Sequence, residues 1–238
     1  MDTTILFVGL AVFLAVFTQS LSGFGVALVA MALVPALVGI QVATPLVALI
    51  ALVMEAVLVI YYHQSLQVRA VWKIALAAVI GTPLGVFFLS RVDEGIALGV
   101  LGVVIAGYAF YALLAFKMPR MEKPIWAYLA GLVGGMLGGA YNTSGPPVIV
   151  YADSRRWPPD VFKGNLQGYF IIVSLAVVIS HALDGNITPS VWKLFLWTLP
   201  FTVLGIVAGL SLDRWLNPVI FRRVVLVLLV VMGIRLMF

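Results

Sequence analysis

Asn142-Thr143-Ser144-Gly145-Pro146-Pro147 interrupts a run of apolar residues with helix-capping side chains followed by prolines. A proline in the first helical turn has no N–H to lose, so the stretch predicts that one helix stops and another begins here. Upstream, Gly131, Gly135 and Gly139 recur every four residues, with Gly134 and Gly138 beside them. That spacing predicts a helix face that a neighbouring backbone approaches closely. In the first half of the chain Ser22-Gly23-Phe24-Gly25 breaks the first apolar stretch at the matching place, with Ala11 and Ala15 where the glycines stand later.

The correspondence is a duplication. Val71-Trp72-Lys73 returns as Val191-Trp192-Lys193, and Thr82-Pro83-Leu84-Gly85 returns as Thr202-Val203-Leu204-Gly205, both 120 positions on. A duplicated unit interrupted at the same place in both copies is the pattern of a carrier whose site lies between the halves. Of the 238 residues 63% are hydrophobic and only 10% charged, too few to clothe a water-facing surface. The chain is therefore read as an all-α integral membrane protein with no room for a soluble domain. Its first stretch, Ile5 to Leu21, lacks a basic flank and a small-residue cleavage context, and is read as retained.

Apolar stretches fall near 5–21, 25–40, 44–62, 73–89 and 95–116, then 125–140, 146–152, 162–183, 192–212 and 219–237. The first two of each half are read as a re-entrant or broken helical hairpin, followed by three transmembrane helices. A hairpin crosses zero times or twice, so each half crosses an odd number of times and the two repeats are inverted. The first repeat is assigned to residues 1–117, a cytoplasmic linker to 118–124 and the second repeat to 125–238. With both termini outside, Arg69, Lys73, Lys117, Arg120, Lys123, Arg155, Arg156, Lys163, Arg214, Arg222 and Arg223 lie inside, leaving only Arg91, Lys193 and Arg235 outside. The formal charge of +5 thus marks inner loops rather than nucleic-acid binding.

The first amides of a helix have no intrahelical acceptor, and inside a bilayer they need a side chain, water or an anion. With the partial positive charge of the helix start, the hydroxyls of Thr143 and Ser144 and the backbone at Gly145 and Pro146 form a candidate anion site with no full cation. Asn142 belongs to the same turn. Thr18, Gln19, Ser20, Ser22, Gly23, Phe24 and Gly25 repeat the logic in the first half, where glycine admits a ligand close to the backbone. The competing reading, an ordinary tight turn between two full spans, is weakened by finding two such motifs at matching places.

With its two homologous halves, early Ser22-Gly23-Phe24-Gly25 turn, glycine-rich helix running into Ser144-Gly145-Pro146-Pro147, and Lys163-Gly164-Asn165-Leu166 opening the next helix, the chain resembles the TauE/SafE family of sulfite and organosulfonate exporters. That family is also called the toluene sulfonate uptake permease family, and the resemblance covers nearly all 238 residues. It implies movement of small sulfur-containing or carboxylate anions across a bacterial inner membrane. Substrate and direction vary within the family and do not carry over.

Glu55 is the sole carboxylate deep in an apparent span, which makes it a candidate for carrying a coupling proton. A protonated acid bonded within the bundle is the open alternative. Asn165 and Gln167, with Thr44 at the equivalent place of the first half, are candidates for lining the path. Lys163, beside Arg155 and Arg156, reads as an interfacial anchor before it reads as a mobile cation. His181 and Asp184 read as a solvated helix end. Trp72, Trp126, Trp157, Trp192 and Trp215 read as interface anchors, and Trp197, which is deeper, as core packing.

A serine hydrolase with Ser144 as nucleophile and His181 as base requires the two within hydrogen-bond reach, yet a whole helix separates them. With no cysteine and two dispersed histidines, neither a metal nor any cofactor is expected. A passive anion channel on the same two tips stays open beside the carrier. The expected partners are a small anion and membrane lipid; a homodimer is compatible with the sequence but not demanded by it.

Overall fold

The structure, a computed structural model, describes residues 3–115, 118–212 and 218–238, with the side chains of residues 218, 219 and 222 excepted. Lys117, Arg214, Trp215 and the side chain of Arg222, used above, lie outside the described residues. The described chain is helical: α1 (Thr3–Ser22), α2 (Val26–Leu33), α3 (Pro35–Val38), α4 (Ile40–Tyr61), α5 (Val68–Leu89), α6 (Glu94–Leu113), α7 (Pro124–Tyr141), α8 (Gly145–Arg155), α9 (Pro159–Leu183), α10 (Pro189–Leu212) and α11 (Pro218–Leu236). A short 3₁₀ turn, His63–Ser65, joins α4 to α5. Both interruptions fall where the sequence predicts them. Proline opens α7, α9, α10 and α11, as its fixed φ and missing N–H favour.

By length and composition α1, α4, α5, α6, α9 and α10 are able to cross a bilayer. The return arms of the two hairpins are not. At 1.5 Å per residue the eleven residues of α8 rise about 16 Å, roughly half a hydrocarbon core. Arg155, at the end of α8, donates from Nη1 to Met121 O at 3.3 Å, tying this end to the linker from which α7 starts. The α7–α8 hairpin thus comes back to the side it left.

Two compact units form, and they cut across the halves of the sequence. One holds Met1–Ile50, Val92–Phe116 and Asn186–Phe238; the other holds Ala51–Arg91 and Lys117–Gly185. In the first unit α1 packs on α10 and α2, and α6 on α11. In the second, α5 packs on α7 and α9, and α7 on α8. Each unit therefore joins the tip hairpin of one sequence half to a helix of the other.

The contact of α5 with α7 explains the four-residue glycine spacing. A Cβ at Gly131 would lie 2.2 Å from Ile74 O, at Gly135 2.1 Å from Ala78 O, and at Gly139 2.1 Å from Thr82 O. Only a residue without Cβ lets the two backbones touch in this way. The partner numbers rise together, so α5 and α7 run parallel. This fits the charge-derived topology, in which both start at the inner side. In the first unit Gly205 and Gly209 of α10 meet Phe13, Val16 and Ser20 of α1 in the same parallel sense.

Candidate functional site

The second tip follows from how α7 ends. Asn142 takes a left-handed conformation (φ 56°) and its N–H bonds to Gly138 O at 2.7 Å, while the Thr143 N–H reaches Leu137 O at 3.3 Å. This is a Schellman closure, with asparagine where glycine is commoner. α8 then starts at Gly145 with Ser144 as its N-cap residue.

Four amides at a helix start lack an intrahelical acceptor. Here Pro146 and Pro147 delete two of them, so the tip keeps those of Ser144 and Gly145. The side chain of Ser144 does not cap its own helix. Thr143 is 1% exposed, and its Oγ1 has no hydrogen-bond partner among the described residues.

Helices α7 and α9 close around this turn. A Cβ on Gly134 would lie 2.7 Å from Tyr169 Oη and 3.0 Å from Ser144 O, and one on Gly138 would lie 3.1 Å from Ser144 Cβ and 3.2 Å from Val173 Cγ1. These two glycines, on the face of α7 away from α5, keep open the space that Ser144 and Tyr169 border. Tyr169 is fully buried; its hydroxyl has the Ser144 side chain within reach, outside good hydrogen-bond geometry, and the Glu55 carboxyl within electrostatic range. Sequence reading missed Tyr169. The available signal was its place one turn after Asn165 on the same face of α9.

The first tip spends its donors differently. Gly23 (φ 83°) and Gly25 (φ 116°) both take left-handed conformations between α1 and α2, where a side chain would be strained. Gln19 Oε1 accepts from the Val26 N–H at 2.9 Å, so Gln19 reaches across the turn to cap α2. Its buried Nε2 has no partner among the described residues. Ser22 Oγ lies 2.6 Å from both Thr18 O and Phe24 O, and Thr18 Oγ1 donates to Leu14 O at 2.7 Å. The hydroxyl protons of Thr18 and Ser22 therefore turn back onto backbone carbonyls, while Ser20 Oγ is buried without a partner among the described residues. Phe24 packs edge-on to Tyr108, and Thr18, Ser22, Phe24 and Gly25 border a cavity of about 10 Å³, walled on its other side by Phe221, Leu226 and neighbours. That is room for about one water.

The remaining candidates separate. Thr44 is buried in the first unit and donates to Ile40 O at 2.8 Å. Asn165 Oδ1 accepts from the Gln67 N–H at 2.7 Å, which holds the α4–α5 loop onto α9, while its Nδ2 is buried without a partner among the described residues. The same loop rests on Gly164 and Gly168, and Lys163 Nζ stands 5.8 Å from the Tyr62 ring centre. The Lys163-Gly164-Asn165-Leu166 motif thus seats a loop. Gln167 is fully buried in the same unit, and Glu55, 4% exposed, is buried near the end of α4.

Two expectations are corrected. His181 is no solvated end residue: it is fully buried, three residues before the exposed Asp184 that hydrogen-bonds Ser90 of α5. Trp197 is not core; at 48% exposure it stands on the outer face of α10, the kind of surface lipid covers. Ser144 borders Tyr169, and His181 lies twelve positions further along α9 than Tyr169, about 18 Å of helix rise. No nucleophile–base pair forms from Ser144 and His181.

Comparison with known proteins agrees with this architecture. The chain is 25% identical over 225 residues to the "Probable sulfite/organosulfonate exporter TauE" of Cupriavidus necator, covering 92% of this chain and 88% of that one. It is 24% identical over 170 residues, 71% of each chain, to the "Probable inner membrane transporter protein TsaS" of Comamonas testosteroni. No solved structure matches. The family described as "Sulfite exporter TauE/SafE" matches residues 8–236. The protein is a multi-pass transporter of the bacterial inner membrane and not an enzyme. With a family match that runs almost end to end over this helical frame, the chain belongs to the sulfite exporter TauE/SafE family.

Proposed function

We propose that this transporter moves a small sulfur oxyanion, sulfite or an organosulfonate, by alternating access, with the α7–α8 tip supplying the donors that hold it. That tip contributes Asn142, Thr143, Ser144, Gly145 and Pro146, with Asn165 and Gln167 of α9 in the same unit. Glu55 takes up the coupling proton, since a lone buried carboxyl is stable in a membrane when neutral and responds to proton supply.

One observation carries the reading: a buried Thr143 hydroxyl stands without a partner among the described residues, beside the amides that open α8. A buried donor left without acceptor is destabilising by about 1–3 kcal/mol, which an arriving oxyanion relieves. Family membership and the name of the Cupriavidus necator relative support the same class of substrate.

The test is flux of radiolabelled sulfite in proteoliposomes holding the full-length protein. Ser144→Ala and Gly145→Leu are expected to abolish it while membrane insertion stays normal, and unchanged flux in both removes the site. Counterflow distinguishes the carrier from a channel, because only a carrier shows saturation with trans-acceleration.

A further inference from the structure

We propose that the α7–α8 tip is a charge-neutral donor site that selects singly charged oxyanions over doubly charged ones, and that the Tyr169 hydroxyl is one of its donors. This rests on the reading of that tip as the anion site.

The donor inventory carries the argument. Pro146 and Pro147 leave two amides, of Ser144 and Gly145, and the side chains add the hydroxyls of Thr143, Ser144 and Tyr169. Thr143 and Tyr169 are both buried to 1% exposure or less. All these groups donate without carrying charge, and the helix start adds only about half a positive charge.

The described cations of the same unit are directed elsewhere. Arg155 sits ten residues along α8 from Gly145, about 15 Å of rise, and binds Met121 O. Arg156 follows it. Lys163 stands over the Tyr62 ring and Arg91 over the Phe87 ring. Lys73 stands by Trp72, one residue from the Ile74 that meets Gly131, two turns before Gly139 on α7.

The titratable group that acts electrostatically on Tyr169 is a carboxyl, Glu55, which adds negative potential or none. A monoanion is nearly matched by such a site. A dianion brings a desolvation cost that grows with the square of its charge and meets no compensating cation among the described residues of this unit. The chemical class favoured is therefore a sulfonate or the protonated form of sulfite, R–SO₃⁻ in either case, rather than sulfate.

The experiment is isothermal titration of the purified full-length protein with methanesulfonate and with sulfate, probes of similar size that differ in charge. Methanesulfonate is expected to bind at least about tenfold more tightly, and sulfite to bind more tightly as pH falls and it becomes a monoanion. Equal or tighter binding of sulfate overturns the selectivity, and that comparison needs no variant.

Tyr169→Phe removes one oxygen and is expected to weaken methanesulfonate binding by about tenfold, the size of one hydrogen bond to a charged group. If Tyr169→Phe binds normally while Ser144→Ala does not, Tyr169 is no donor although the tip remains the site. If both bind normally, the tip is not the site and the proposal falls with it.

Discussion

Gly134 and Gly135 are adjacent on α7 but face different neighbours, so the same small change at each should fail in different ways. In Gly134→Ala the new Cβ lies 2.7 Å from Tyr169 Oη and 3.0 Å from Ser144 O, about 0.7 Å and 0.4 Å inside ordinary contact at 3.4 Å. Tyr169 is rigid and fully buried, so its hydroxyl must move off the tip. Overpacking of this kind destabilises by about 1–3 kcal/mol. Losing the alignment of one or two donors should weaken sulfite binding roughly tenfold. In Gly135→Ala the Cβ lies 2.1 Å from Ala78 O, backbone rather than side chain, about 1.3 Å inside contact. There α5 and α7 must separate along their length, and the loss should appear as stability.

The assay is a pair of measurements on detergent-purified variants: melting temperature without ligand, and sulfite affinity. Gly134→Ala should keep most of its melting temperature and lose affinity, while Gly135→Ala should lose several degrees or fail to accumulate. Gly134→Ala with native affinity would show that the space between Ser144 and Tyr169 is not where the anion sits.

The caps make separate predictions. Gln19→Leu removes the acceptor of the Val26 N–H and should destabilise the first unit by about 1–3 kcal/mol, read as a lowered melting temperature; no change would mean water caps α2 equally well. Asn165→Ala orphans the Gln67 amide and should loosen the α4–α5 loop, read as faster hydrogen exchange over residues 63–67, with unaltered exchange refuting the loop-seating role. Glu55→Gln keeps the shape but not the proton, so uptake should stop following a pH gradient while sulfite binding persists. Full retention of the pH response would take Glu55 out of the coupling.

Much of the helical layout was legible because helix ends are local events. Two glycines with left-handed φ, an asparagine ahead of Ser-Gly-Pro-Pro and prolines at helix starts act through their own backbone, so the breaks after Ser22 and Tyr141 fall where the residues dictate. The glycine spacing of α7 likewise announced a close neighbour, though not which one. His181 and Trp197 were misread for a related reason: position along a helix predicts depth, while burial depends on what packs alongside.

The sequence by itself determined a lipid-soluble, duplicated, helical membrane protein with two interrupted segments, because composition, repeat and backbone propensity need no partner to be read. Tertiary structure alone decided that α5 is the partner of α7, that Asn165 seats a loop, that Tyr169 joins the second tip, and that Thr18 and Ser22 turn their hydroxyl protons onto backbone carbonyls while those of Ser20 and Thr143 find no partner among the described residues. The physical reason is that a hydrogen-bond donor is free or spent only relative to the atoms around it. Those atoms come from residues far apart in the chain.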